Sequence, residues 1–249
     1  MLTFLFILYF ILLNLNSVTY KDFRDDQKKY RRVRTAYNEK YDILKNDLVS
    51  AGINDFKVNI FIRAYKIEEI LEVWVKSPDA SEYSLFRTWD ICRTSGIPGP
   101  KRREGDFQIP EGFYHINHFN PYSNFYLSLG VNYPNRSDRI LGHKQALGGS
   151  IYIHGSCVTI GCIPITDDLI KELYVLAVEA KTNGQEKIPV HIFPSRLVGG
   201  SFINLCNDYQ DEEELLEFWM NLKKGHDAFE MTHTLPVITV AENGEYQVK

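Results

Sequence analysis

Ile151-Tyr152-Ile153-His154-Gly155-Ser156-Cys157-Val158-Thr159-Ile160-Gly161-Cys162-Ile163-Pro164 is the stretch that decides the reading of this chain. It opens as a short apolar strand ending in His-Gly, turns, and presents a cysteine after Thr-Ile-Gly. A cysteine nucleophile requires a base in reach, a tight backbone around its own amide, and partial exposure. Cys162 is the candidate nucleophile and His154 the candidate base. Gly161 permits a sharp backbone turn, which would leave the amides of Gly161 and Cys162 facing a developing oxyanion. The competing reading makes Cys162 a small buried apolar residue and His154 a satisfied core histidine. The order strand, His-Gly, Gly-Cys favours catalysis.

His-Gly followed by Ser/Thr-x-Gly-Cys resembles the signature of YkuD-type L,D-transpeptidases, cysteine enzymes that remodel peptidoglycan. Residues 154–162 are most similar to the YafK-like branch. Phe61–Ser77, Gly99–Asp106 and Pro110–Tyr114 hold further segments that resemble that branch in the same order, so the likeness runs from about residue 55 to residue 230. Two features depart from the wider family. The His-to-Cys spacing is eight, and Ile160 stands where many members carry a second histidine. Both are shared with the YafK-like pattern.

The resemblance implies a cysteine enzyme that attacks the carbonyl of meso-diaminopimelate in stem peptides. Cys162 would form the acyl-enzyme, as a thiolate, with its proton held by His154. The Gly155 carbonyl would orient the His154 ring in place of a third triad side chain. Amides near Ile160, Gly161 and Cys162 would stabilise the oxyanion, with Thr159 fixing their loop. Weaker candidates for binding the substrate's carboxylates are Arg139 and His143, before the catalytic strand, and Lys101, Arg102 and Arg103 in a long loop. Each has a plain surface or loop reading beside it. No cofactor is expected. The partners implied are peptidoglycan stem peptides and a wall-tethered lipoprotein, released by net hydrolysis. The alternative is a true transpeptidase that forms crosslinks or protein anchors. Two rivals come from other classes. One is a zinc site using His154, Cys157 and Cys162, which lacks a fourth ligand and would silence the nucleophile. The other is a non-catalytic wall-binding module, which would have no need of the Cys/His pair.

At 249 residues the chain can bury a full core, and 44% hydrophobic with 24% charged residues is a globular composition. A net charge of −4 without a long basic run gives no electrostatic case for nucleic acid. Leu2 to Leu15 is almost wholly apolar, which fits the core of a secretory signal and is short of the ~20 residues of a membrane span. Its amino-terminal side carries only the terminal amine, and Leu15-Asn16-Ser17 is a poor cleavage site. Residues 1–17 therefore read as a signal peptide or membrane anchor, or as a buried N-terminal helix. The first two readings export the domain to the periplasm or cell envelope, with membrane contact only through that anchor. Of the four cysteines, Cys162 must stay free to react, so at most one bridge can form. Cys92 and Cys157 could meet at one end of a sheet, or all three could be unpaired.

Phe23, Tyr30, Val33, Tyr37, Tyr41, Leu44 and Leu48 recur at spacings of seven, three and four, one stripe of a long helix ended by Gly52. Residues 18–52 thus form a helical N-terminal brace before a catalytic domain over 53–249. Strands are expected at 58–65, 70–76, 85–92, 112–117, 125–129, 150–154 and 189–193. The charged stretch Gly96–Gly112, punctuated by Gly and Pro, reads as a long functional loop. Thr166 would cap a helix reaching about Thr182, and Asp211–Lys224 forms another, with acids first and lysines last. The tail would close as a hairpin around Asn243-Gly244. Periodicity gives an α+β fold. The resemblance sharpens it to a mainly-β YkuD-like sandwich with added N- and C-terminal helices.

Overall fold

The computed structural model describes residues 23–142 and 146–249. The expected signal or anchor at 1–17, the first residues of the brace, and His143 lie outside the described residues. The order of elements is α1 (Arg31–Ser50), β1 (Asn59–Tyr65), β2 (Ile70–Lys76), β3 (Ser84–Asp90), β4 (Gly112–Asn120) and β5 (Ser128–Val131). Then follow α2 (Arg136–Leu141), β6 (Tyr152–His154), β7 (Ile163–Pro164), α3 (Asp167–Thr182) and β8 (Pro189–Phe193). The chain ends in α4 (Gly199–Asp208), α5 (Glu213–Thr232), β9 (Ile238–Val240) and β10 (Tyr246–Val248).

Eight strands form one mixed sheet in the order β3-β2-β1-β8-β4-β5-β6-β7, and β9 pairs with β10 in a separate ribbon. β4 changes partner along its length: Gly112–His115 pair with β8, and Ile116–Asn120 pair with β5 beyond an irregularity between Ile116 and His118. Such an irregularity bends the bulged strand and strengthens its twist, so the sheet turns as a half-barrel at β4. The α+β class and its helices at both ends of the chain are as expected.

Alternation along the central strands divides the interior. Ile60, Ile62 and Ala64 of β1 and Val190 and Ile192 of β8 face the main core. The brace stripe joins them there through Val33, Tyr37, Leu44 and Leu48, and α3 adds Leu173 to Val178. Tyr37 donates to Glu179 of α3 at 2.7 Å, and Lys40 pairs with Asp168 at 2.6 Å. On the opposite face, Tyr65 and Phe193 pack under Trp219 and Leu222 of α5. That helix runs past the expected Lys224 because Gly225 lets it lie against a ring. A Cβ there would stand 2.5 Å from Phe113 Cζ. The helix stops at His233, which takes a left-handed conformation.

Two helices, α2 and α4, went unmarked in the sequence. α2 has only six residues and is set by the Asn135–Asp138 capping box, too short for an apolar period. The strand expected at 125–129 begins later, at Ser128, because Tyr126 has a positive φ and breaks the extended run.

The long loop before β4 is built around a buried cation. Lys66 Nζ, just past β1, donates to the carbonyls of Ile97, Gly99 and Ile109 at 2.8–3.1 Å and to Glu111 Oε1 at 2.8 Å. Glu111 also accepts from the Gly99 amide at 2.7 Å and from Trp219 Nε1 at 2.8 Å. Removing one member of such a pair leaves a buried charge and several carbonyls unsatisfied. Lys66→Met is therefore expected to lower the unfolding free energy in urea by about 3–5 kcal/mol. A loss below about 1 kcal/mol, the range of an exposed pair, would refute the organising role of this lysine.

Candidate active site

β6 and β7 are parallel neighbours in which Ile153 faces Ile163 and His154 faces Pro164. Side chains alternate along strands, so Cys162, just before Ile163, projects on the same face as His154 and one diagonal step away. Only seven residues, Gly155 to Gly161, join the two. His154 Nδ1 lies 2.6 Å from the Gly155 carbonyl oxygen. A carbonyl only accepts, so Nδ1 carries the proton and Nε2 of the neutral ring keeps its lone pair. The ring stacks on Phe125 with centroids 4.5 Å apart.

Burial disfavours the charged form of both residues. It lowers the His154 pKa below the usual imidazole range, against the Gly155 carbonyl, which raises it. It pushes the Cys162 thiol up, against the opposing effects of the Tyr152 backbone and the Lys101 ammonium. The thiol donates instead to the Ser150 carbonyl at 3.6 Å. The resting pair is thus neutral imidazole and neutral thiol. Both shifts run against the thiolate expected from the sequence, since the electropositive neighbours offset only part of the desolvation.

Thr159 closes the loop, as its position predicts. Its hydroxyl oxygen accepts from the amides of Gly161 at 3.1 Å and Cys162 at 2.8 Å, and donates to the Cys162 carbonyl at 2.7 Å. The amides of Gly161 and Cys162 are therefore engaged within the loop rather than turned to an oxyanion. The short hydroxyl side chain competes for nearby backbone amides. Of the expected donors, the Ile160 amide has no hydrogen-bond partner among the described residues, and its side chain is 76% exposed. Gly161 has φ +130°, where a Cβ would also meet the Gln108 carbonyl oxygen at 3.1 Å.

Asp167 is a partner of the site that left no signal in the sequence, whereas the Cys92–Cys157 bridge is one of the two alternatives the sequence left open. Asp167 Oδ1 accepts from the Ser156 amide at 2.8 Å. Gly155 fits only without a side chain, since a Cβ would come within 2.5 Å of Asp167 Oδ1 and 2.8 Å of the Phe125 carbonyl oxygen. Cys92 and Cys157 form a disulfide that ties the middle of the loop to the chain beyond β3. Cys162 and Cys206 are free. With Cys157 bonded to Cys92, the zinc reading loses one of its three ligands.

The weaker candidates scatter. Lys101 is buried, its ammonium 2.6 Å from Asp106 and 2.9 Å from the Arg103 carbonyl oxygen, so it reaches Cys162 only through its field. Arg102 pairs with Asp138 at 3.3 Å and lies over Phe218. The side chains of Arg103, beside the loop, and Arg139, on α2, are exposed.

Comparison with known proteins shows the family. The profile of the YkuD L,D-transpeptidase catalytic domain matches residues 74–192. The chain belongs to the YkuD L,D-transpeptidase family. It is 36% identical over 191 residues to YafK of Escherichia coli (strain K12), provisionally named an L,D-transpeptidase, covering 76% of this chain and 73% of that protein. YafK of E. coli O157:H7 matches equally. Among solved structures, the helical cell shape determining protein Pgp2 of Campylobacter jejuni aligns with a TM-score of 0.44 at 17% identity, covering 75% of this chain and 74% of its own. Its K307A mutant aligns with the same score at 22% identity, and this chain spans 48% of that length. No helix among the described residues is long and apolar enough to cross a membrane.

A neutral pair has a measurable consequence. Alkylation of Cys162 by iodoacetamide should be slow near neutral pH and accelerate only above the usual thiol pKa of about 8.5. Rapid labelling at neutral pH, followed by mass spectrometry of the Cys162 peptide, would show a resting thiolate and refute this assignment.

Proposed function

We propose that this protein is a peptidoglycan-remodelling cysteine enzyme that cleaves the acyl bond of meso-diaminopimelate in stem peptides, with Cys162 as nucleophile and His154 as base. The observation that supports it most is the shared face of His154 and Cys162, with Nδ1 pinned by Gly155 and Nε2 left as proton acceptor. The Cys162 sulfur bonds to the carbonyl carbon as its proton passes to His154. The tetrahedral intermediate then collapses, the C–N bond breaks, and His154 returns the proton to the departing amine. Water, deprotonated by His154, attacks the thioester. The C–S bond breaks, and Cys162 leaves with the proton. A neutral pair suits this sequence, because the charge separation appears only as the bond forms. The Ile160 amide is the donor available to the oxyanion. Arg103 and Arg139 are the exposed cations suited to substrate carboxylates. The protein would act in the periplasm or cell envelope, reached through the segment at 1–17 as signal or anchor, and a wall-tethered lipoprotein is among the groups it would release.

Net hydrolysis is favoured over joining. A second amine must compete with water at about 55 M, which demands a groove that holds it against the thioester. The seven-residue loop offers little wall there, and Val158 and Ile160 stand 49% and 76% exposed on it. The opposite reading, a crosslinking or protein-anchoring transpeptidase, draws on the neighbouring loop, where Ile97 and Phe107 are also exposed and could rebuild that wall.

Incubation of purified sacculi in oxygen-labelled water, with muropeptides resolved by mass spectrometry, tests the proposal. The wild-type protein should release fragments bearing label in a new carboxylate. Cys162→Ala should lose this activity while keeping its fold. Crosslinked dimers without label would make the protein a transpeptidase, and retained activity in Cys162→Ala would remove the nucleophile.

A further inference from the structure

A second cleft, of about 290 Å3, opens between β4, β8 and the β9–β10 ribbon. None of the residues that touch His154 or Cys162 lines it. His191 of β8 does. That side chain is only 4% exposed, packed between the rings of Phe61 and Phe113 at 4.6 and 4.7 Å, and its nitrogens have no hydrogen-bond partner among the described residues. Burial holds its pKa down at about 3, so the ring is neutral and retains an N–H to donate. The His191 nitrogens are not among the fully buried unpartnered polar atoms, so the small exposed part of the ring is its polar edge, bordering the open cleft.

The charge around the cleft has one sign. Arg136 and Lys187 stand exposed on its rim, neither in an ion pair among the described residues, and His115 of β4 lies beside them, its pKa lowered by burial and then by the Lys187 charge. No carboxylate is among the lining residues. Nor is the Asn135 amide free: it donates to the Phe113 carbonyl at 3.1 Å and to Tyr246 Oη at 2.8 Å. Most of the remaining lining, including Pro189, Ile238 and Val240, is apolar, and the Tyr114 and Tyr246 hydroxyls are already hydrogen-bonded. Two guanidinium or ammonium groups and two imidazoles above an apolar floor match a carboxylate attached to a short apolar side chain.

We infer that this cleft binds the terminal carboxylate of an alanine-ended stem peptide, as a second hold on the wall polymer while Cys162 reacts with another stem. The identity of the polymer rests on the peptidoglycan reading above; the carboxylate chemistry rests on the cleft. Two contacts on one polymer raise the effective concentration of the reacting peptide at the catalytic loop.

The test is a histidine-detected NMR titration of the intact protein with N-acetyl-D-alanine, with N-acetyl-D-alaninamide as the uncharged comparator. The acid should shift the His115 and His191 ring resonances saturably, and the amide should not. The Arg136→Glu/Lys187→Glu variant, altered only at exposed positions, should bind the acid at least about tenfold more weakly, a change of 1.4 kcal/mol. Its rate of release from intact sacculi, divided by its rate on soluble stem peptides, should fall at least about fivefold if tethering operates. Silent His115 and His191 resonances, equal shifts with the amide, or undiminished binding by the variant would overturn the carboxylate site. An unchanged rate ratio would overturn the wall-binding role. Failure of the wild-type protein to turn over soluble stem peptides would count against the reading of Cys162 alone, and the titration would still decide the cleft.

Discussion

Two parallel strands joined by eight residues are the constraint on which the site depends. Parallel neighbours normally require a crossover of a dozen residues or more, usually a helix. Here β6 and β7 pair across Gly155–Cys162, so the chain must reverse twice in almost no length. Each anomaly of the loop follows from that demand. Gly155 has no room for a side chain, Ser156 has φ +67°, and Gly161 has φ +130°. Such conformations are costly and persist only where the surroundings hold them. The holding groups are identifiable: Asp167 on the Ser156 amide, the Cys92–Cys157 bridge in the middle, and the Thr159 hydroxyl at the end. The result is a cysteine placed at a strand entrance, one diagonal step from an imidazole.

Compression also sets the electrostatics. A loop this tight buries His154 almost fully, and Phe125 seals one face of its ring. Desolvation then acts on base and nucleophile in opposite senses, lowering one pKa and raising the other, and both shifts favour the uncharged pair. Groups pushed apart in this way keep fixed roles across the neutral range, the imidazole as acceptor and the thiol as donor. Thr159 imposes a further condition. While its hydroxyl holds two amides, the oxyanion has the Ile160 amide as its nearest uncommitted donor, so the loop is rigid at the cost of donors.

Local pattern made much of this legible in the sequence. The stripe from Val33 to Leu48, the Thr166 cap, the central strands and the Asn243-Gly244 hairpin follow from periodicity and turn chemistry. The single long helix expected from Phe23 is instead broken at Lys29 and Tyr30, where Tyr30 is extended. His154, Gly155, Thr159 and Cys162 could be named because the loop is short enough for its members to be sequence neighbours. What escaped is non-local. Asp167 and Phe125 belong to a helix start and a turn whose approach to Gly155 no spacing encodes. The burial of Lys101 was hidden because Asp106, its partner, lies in a loop without periodicity. The disulfide stayed open for the same reason, since 65 residues separate its ends.

The same non-local logic explains why the C-terminal helices belong to the working structure although the family profile stops at residue 192. Trp219 of α5 donates to Glu111; Glu111 accepts from Lys66; Lys66 gathers the carbonyls of Ile97, Gly99 and Ile109. Gln108, one residue before Ile109, presents its carbonyl to Gly161. A series of buried polar contacts therefore runs from a helix on the far face of the sheet to the Ile97–Ile109 loop, whose Gln108 carbonyl packs against Gly161 beside the nucleophile. Lys66 and Trp219 lie outside the matched span and Glu111 inside it. A fragment cut to the profile would strip Glu111 of both Lys66 and Trp219, and breaking such a buried pair costs several kcal/mol. The loop that fixes one wall of the active site would be the first element released.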